Sequence, residues 1–158
     1  MTVTQDFASM VVDEDLSSED LQRIFLEMNT EIGRLLGHRV LRVDLEACRV
    51  RSEFQGQPEW CNPMGVIQGG MIGAMLDTTF TMAGLAATRF KANLPTLEMK
   101  TTYIGPGFPG RFIGEGRVLR MGKSIMFLEA TLFDGEENLV ATASATAKLV
   151  YRAGGPIK

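Results

Sequence analysis

The sequence predicts an α+β protein in which an antiparallel sheet packs one face on a long central helix, with an extra helix ahead of it. Three observations point there. Residues 69–90 are apolar or small at helical spacing. From residue 96 onward, alternating segments follow one another as far as 151. Glycine, proline and aspartate turn signals separate those segments.

The elements follow in chain order. Ser17, with an acid three residues on at Asp20, marks a helix start. Leu21, Ile24, Phe25, Met28, Ile32, Leu35 and Leu36 then recur at helical spacing, and Gly37 supplies a stop, so one amphipathic helix is expected. Residues 40–54 alternate, with Leu41, Val43, Leu45 and Ala47 on one face, and predict a single half-buried strand. Residues 55–65, QGQPEWCNPMG, are dense in turn formers and predict a loop.

The central helix is expected over 69–90, burying Met71, Ile72, Met75, Leu76, Phe80 and Ala83. A second stripe, Gly70, Gly73, Ala74, Asp77, Thr81, Gly84 and Thr88, is small or polar throughout. Internal glycines cost about 1 kcal/mol each relative to alanine, so this stripe points to a surface that something lies against. Strands are expected over 96–104, 111–120, 124–133 and 139–151 in meander order, the middle pair joined at Met121-Gly122-Lys123. Residues 1–16 read as a loose arm, 17–151 as a single domain and 152–158 as a tail.

Composition narrows the function. At 158 residues one core is expected, and a net charge of −3 with no basic, aromatic-interleaved stripe disfavours a nucleic-acid binder. A local basic patch for a phosphorylated ligand stays open. Cys48 and Cys61 lack metal-ligand spacing and read as free thiols, which fits a cytoplasmic protein. The first twenty residues have no basic, apolar leader pattern, and the apolar run after Met64 is broken by Asp77 and several threonines; neither a signal peptide nor a membrane span is expected.

His38 is the only histidine. Following a helix-stop glycine, it reads as a surface or capping residue rather than as part of a triad, and a zinc site lacks ligands. The glycines fit neither a Walker nor a dinucleotide motif. What remains is Asn62, Gln68, Gly69, Gly70 and Asp77. A helix opening at Gly69 presents unpaired N–H groups and the positive end of its dipole, and without side chains there an oxygen can approach closely. Asp77, about two turns on, could act as general base or nucleophile facing the same small cavity. The other reading is an aspartate satisfied by a neighbouring hydroxyl or backbone group.

The spacing N62-x-x-G65-x-x-Q68-G69-G70-(x)6-D77 resembles the signature of hotdog-fold acyl-CoA thioesterases of the phenylacetate-degradation and hydroxybenzoyl-CoA type. PTLEMKTTYIGPG, RVLRMGKSIMFLEATLFD and LVATASATAKLV are similar to that family too, so the resemblance covers residues 38–151. It implies a hotdog fold and hydrolysis of an acyl- or aryl-CoA thioester to free acid and coenzyme A, with no cofactor and no metal.

Asp77 matches the family's catalytic acid and Gly69 the residue whose N–H polarises the thioester carbonyl. Asn62 matches a position that holds the water or the acid, and Thr81 a threonine that positions water. Thr96, aligned with a one-residue insertion, resembles a hydroxyl that completes the site from a facing subunit. Gln68 stands where the family has histidine; its amide can donate but cannot become cationic. Gly70 and Met64 would border the substrate, with Gly73, Ala74 and Gly84 leaving room for an acyl chain or pantetheine arm. Met71, Met75 and Met82 could line a pocket or simply be core. Arg120 and Lys123 at the hairpin would meet the phosphates, with Arg89 and Lys91 as further cations. The resemblance also implies a homodimer at least, and a homotetramer as a dimer of dimers. A non-catalytic acyl-CoA-binding or sensing hotdog is the alternative. A hydratase is disfavoured, because His38 is poorly placed to pair with an acid.

Overall fold

The computed structural model describes residues 15–28 and 30–152. The expected arm (except its last two residues) and the tail beyond Arg152 lie outside the described residues.

Ser17 caps α1 (Ser18–Glu27) reciprocally: the Asp20 N–H donates to Ser17 Oγ at 3.2 Å, and the Ser17 N–H donates to Asp20 Oδ2 at 3.1 Å. The single helix expected here is two. A second, α2 (Glu31–Leu36), restarts on Thr30, whose Oγ1 accepts from the Gly33 N–H at 3.0 Å. That threonine cap competes with helix continuation, and apolar spacing alone hides it.

The strand expected over 40–54 is also two, β1 (Arg39–Asp44) and β2 (Arg49–Gly56), paired as a hairpin. Its turn needs neither glycine nor proline. Asp44 Oδ1 accepts from the Ala47 N–H at 2.9 Å, and Cys48 takes a left-handed φ of 49°. A bulge between Val40 and Arg42 shifts parity, so Val40 and Val43 are the buried pair and Leu41 is not.

After α3 (Gly69–Ala87) come β3 (Ala92–Asn93), β4 (Thr96–Tyr103), β5 (Gly110–Met121), β6 (Ile125–Asp134), β7 (Leu139–Lys148) and β8 (Val150–Tyr151). The main sheet is antiparallel with order β1-β2-β5-β6-β7-β4. Only β5 to β7 form the expected meander. A connection as long as α3 need not return beside its starting strand, and β4 sits at the far edge, bonded among the described residues to β7 alone. The last predicted strand divides, and β8 leaves to pair with β3.

α3 lies on one face of this sheet, burying Ile72, Met75, Leu76, Phe80 and Ala83, while Met71 is half-buried. β5 passes so close that a Cβ at Gly116 would stand 2.5 Å from the Thr79 carbonyl oxygen. A second cluster joins α1, β1 and the end of α3, with Phe25 and Phe90 rings 4.9 Å apart. Together these make an antiparallel sheet around a central helix, the hotdog arrangement. No helix among the described residues is long and apolar enough to cross a membrane.

His38 caps as read, its N–H donating to the Gly33 carbonyl at 2.8 Å at the end of α2, but its ring is half-buried rather than on the surface. Its Nε2 lies 3.1 Å from Ser52 Oγ, on a fully buried serine, and its ring is 5.0 Å from that of Phe54. Burial lowers its pKa from 6.5 to about 4. The unfolded chain therefore takes up a proton near pH 6.5 that the folded chain refuses until about pH 4. Stability present above pH 6.5 is lost as pH falls toward 4, by about 3 kcal/mol from this group. Urea unfolding at pH 7 and pH 5 should show wild type losing about 2 kcal/mol more than His38→Asn. Equal losses would mean the imidazole is protonated in the fold.

Candidate active site

The start of α3 is fixed by its preceding loop. The Ile67 N–H donates to the Gly107 carbonyl and the Gln68 N–H to the Trp60 carbonyl, both at 2.8 Å. Gln68 is the N-cap, but its side chain makes no capping bond and is exposed. The N–H groups of Gly69 and Gly70 meet no acceptor among the described residues. The two glycines differ. A Cβ at Gly70 would meet nothing within 4 Å, whereas one at Gly69 would stand 3.1 Å from the Tyr103 ring. The open approach to these donors is therefore beside Gly70. Tyr103 also donates its hydroxyl to the Gly69 carbonyl at 2.8 Å.

Asp77 is half-buried and in no ion pair among the described residues. Its Oδ1 accepts from Thr96 Oγ1 at 2.9 Å, and Oδ2 has no partner among them. A bulge at the start of β4 makes that bond possible. Thr96 pairs with Ala147 and Glu98 with Thr146, so Leu97 is an extra residue, 57% exposed, that changes parity and turns Thr96 toward the helix. Thr96 meets Asp77 within its own chain.

The small stripe of α3 splits in two. Gly84 is closed by the core: a Cβ there would lie 2.5 Å from Leu94 Cδ1. Gly73 is roofed by Met99 and Tyr103, at 3.7 and 4.0 Å. Neither leaves room for an acyl chain, and what lies against them is the protein's own sheet. Gly70, Ala74, Asp77 and Thr81 stay open, four residues at helical spacing on one side. The Thr81 hydroxyl has no partner among the described residues.

Asn62 builds its own loop. Its Oδ1 accepts from the N–H groups of Met64 at 2.9 Å and Val66 at 3.3 Å, leaving only Nδ2 for another group. Met64 is 83% exposed; Met75 is core, while Met71 and Met82 are half-buried against it. Arg120 and Lys123 are exposed at the β5–β6 turn. A concavity of about 410 Å³ lies on the sheet face away from α3, between Arg42, Arg49, Arg51 and Arg117 and the carboxylates of Asp44, Glu115 and Glu129. Ion pairs such as Arg51–Glu115 at 3.7 Å line it, and it shares no residue with the α3 stripe. Tyr103 and Met99 were not among the candidates from sequence. Period-two alternation would have put them, with Thr101, on the helix-facing side of β4.

One separation constrains any chemistry. Asp77 lies eight residues beyond Gly69 on α3, a rise of about 12 Å. The tilt of the aspartate side chain toward the helix start shortens this only slightly. A single carbonyl cannot contact both groups of one chain, so the expectation that they face one small cavity within the chain does not hold.

The sequence profile of the thioesterase superfamily matches residues 64–141. A phenylacetic acid degradation-related protein of Ralstonia eutropha JMP134 is 32% identical, with a TM-score of 0.75 over 81% of this chain and 98% of that one. The medium/long-chain acyl-CoA thioesterase YigI of Escherichia coli K12 is 24% identical over 83% of this chain and 95% of its own. A Streptococcus mutans protein crystallised with acetyl CoA shares the fold, at 20% identity and a TM-score of 0.62 over 70% of this chain and 87% of that one. The match across the α3 stretch, and the near-complete coverage of the Ralstonia protein, lead to one conclusion: this chain belongs to the thioesterase superfamily, as a thioester hydrolase of hotdog fold.

Proposed function

We propose that the protein hydrolyses acyl- or aryl-CoA thioesters to the free acid and coenzyme A, with Asp77 as general base or nucleophile. The observation that carries this reading is the carboxylate itself: one oxygen is held by Thr96 and the other is unpartnered on an open stripe. That is what activating a water, or attacking a carbonyl, requires. The Gly69 N–H, with Gly70 beside it, polarises the carbonyl; one donor of this kind supports about 2.7–4 kcal/mol of barrier lowering. Thr81 and the Asn62 Nδ2 hold the water, and the Gln68 amide donates toward the thioester. Met64 borders the cleft.

The acid and the donors meet across a homodimer. β4 has a free edge among the described residues, flanked by exposed Leu97, Tyr103, Ile104 and Phe108. It runs antiparallel to α3, since Thr96 contacts Asp77 and Tyr103 contacts Gly69. If two copies pair β4 about a twofold axis at its centre, Thr96 stands opposite Tyr103 of the partner subunit. Asp77 then faces Gly69 of the partner subunit across neighbouring strands, about 4.8 Å apart. A dimer of dimers is the assembly the family resemblance supports.

Cations for the coenzyme's phosphates gather beside Thr96. Lys148 N–H bonds the Pro95 carbonyl, Leu149 N–H the Ser124 carbonyl and Arg152 N–H the Lys91 carbonyl. These contacts draw together three segments bearing Arg89, Lys91, Arg120, Lys123, Lys148 and Arg152, with no acid in 88–95, 120–125 or 147–152. The acetyl-CoA held by the Streptococcus neighbour is consistent with such a ligand.

Incubating the protein with a panel of acyl-CoAs and a thiol reagent tests the reading. Release of free thiol by wild type supports hydrolysis. Gln68, a neutral residue where the family has histidine, keeps a second reading in play: tight acyl-CoA binding with no thiol released would make the protein a sensor.

A further inference from the structure

We infer that Tyr103, backed by Met99, is the wall that sets which acyl groups the site accepts. This rests on the proposed thioester chemistry at the start of α3 and adds a specificity role to a residue outside the catalytic set. A thioester carbonyl bound at the Gly69 and Gly70 N–H groups carries its acyl substituent one bond away, so the first atoms of that substituent must lie beside Gly69 or Gly70. At Gly70 the space is open; at Gly69 it is taken by the tyrosine ring, 3.1 Å from where a Cβ would be. Further along the same face, Met99 Cε stands 3.7 Å from the corresponding point at Gly73. At Gly69 a β4 side chain crowds the position of a Cβ, and at Gly73 another stands in van der Waals contact with it. The groove that the small residues would otherwise form is plugged, and an acyl group that follows the helix must displace the plug.

The plug can be moved. The Tyr103 hydroxyl bond to the Gly69 carbonyl is its only hydrogen bond among the described residues. Met99 is unbranched and adapts to irregular space. A compact acyl group fits beside Gly70 without disturbing either. A wide or long one meets the ring first, and apolar pockets discriminate such differences by roughly 10- to 200-fold.

The test compares wild type, Tyr103→Phe, Tyr103→Ala and Met99→Ala on straight-chain acyl-CoAs from acetyl to palmitoyl, together with benzoyl-CoA. The readout is the ratio of kcat/KM for the bulkiest to the smallest acyl group. Tyr103→Ala should raise that ratio by about tenfold or more. Tyr103→Phe, which keeps the ring, should leave it within about twofold. If Tyr103→Ala does not fold, Met99→Ala must move the ratio in the same direction. Variants that fold but slow every substrate by one common factor would overturn the inference, because a purely structural residue acts that way. If wild type releases no thiol from any substrate, the hydrolase reading fails separately. The same ratio is then taken from dissociation constants measured by calorimetry, and the same outcomes decide.

Discussion

Asp77→Asn should lower kcat for acyl-CoA hydrolysis by about 10²–10⁴-fold while leaving KM within a few-fold. The substitution is isosteric, and an amide oxygen still accepts from Thr96 Oγ1, so the local structure survives. What disappears is the basic oxygen. An amide neither takes a proton from water nor attacks a thioester carbonyl, and the loss corresponds to about 3–5.5 kcal/mol of barrier. Thr96 tunes the same group. Thr96→Ser retains the hydroxyl and should stay near wild type, whereas Thr96→Val leaves Oδ1 without its donor and should fall by about tenfold. Steady-state kinetics on whichever acyl-CoA is turned over fastest decides it. An Asp77→Asn enzyme that keeps a tenth or more of wild-type kcat would show that the carboxylate is structural, satisfied by its threonine and nothing more.

That alternative was already visible in the sequence, and the reason it could not be resolved there is physical. An aspartate on a helix face declares its position but not its partner. The partner, Thr96, reaches it only because Leu97 is extruded from the β4 ladder, and a bulge is a property of pairing between β4 and β7. Local periodicity did identify α3 and its buried face, because 3.6-residue spacing over many turns is hard to mistake. It failed where side chains compete with the backbone. Thr30 interrupts the first helix and Asp44 folds the first strand back, both with short polar side chains inside otherwise regular patterns. The glycine stripe was read as ligand space because sequence shows a missing side chain, not what fills the gap. Gly73 is filled by Met99 and Tyr103, and Gly84 by Leu94 and Met126. Strand order was equally hidden, since nothing in β4 itself says that its neighbour is β7.

Two inactive variants made in one cell should restore activity to each other, reaching about one quarter of wild type per chain in the mixed pool. The pair is Asp77→Ala, which removes the acid, and Gly69→Pro, which removes the donor. Proline suits that position: it is the first helical residue, and Gln68 before it already holds φ −58° and ψ 135°, the extended conformation a following proline demands. Only the Tyr103 ring must give by a few tenths of an ångström. Each variant alone should be down by at least about 10²-fold, the loss expected for one oxyanion donor or one general base. Random assortment makes half of the dimers mixed. In each mixed dimer, Gly69 from the Asp77→Ala chain meets Asp77 from the Gly69→Pro chain, and that site is intact; the other site has lost both groups. One site in four therefore works. Within a single chain the acid and donor are about 12 Å apart along α3, and complementation is the direct consequence if the reacting carbonyl bridges two subunits. Activity in the mixed pool no higher than the average of the two variants would instead assign each site to one chain, and the N–H groups opening α3 would then have no part in the chemistry at Asp77.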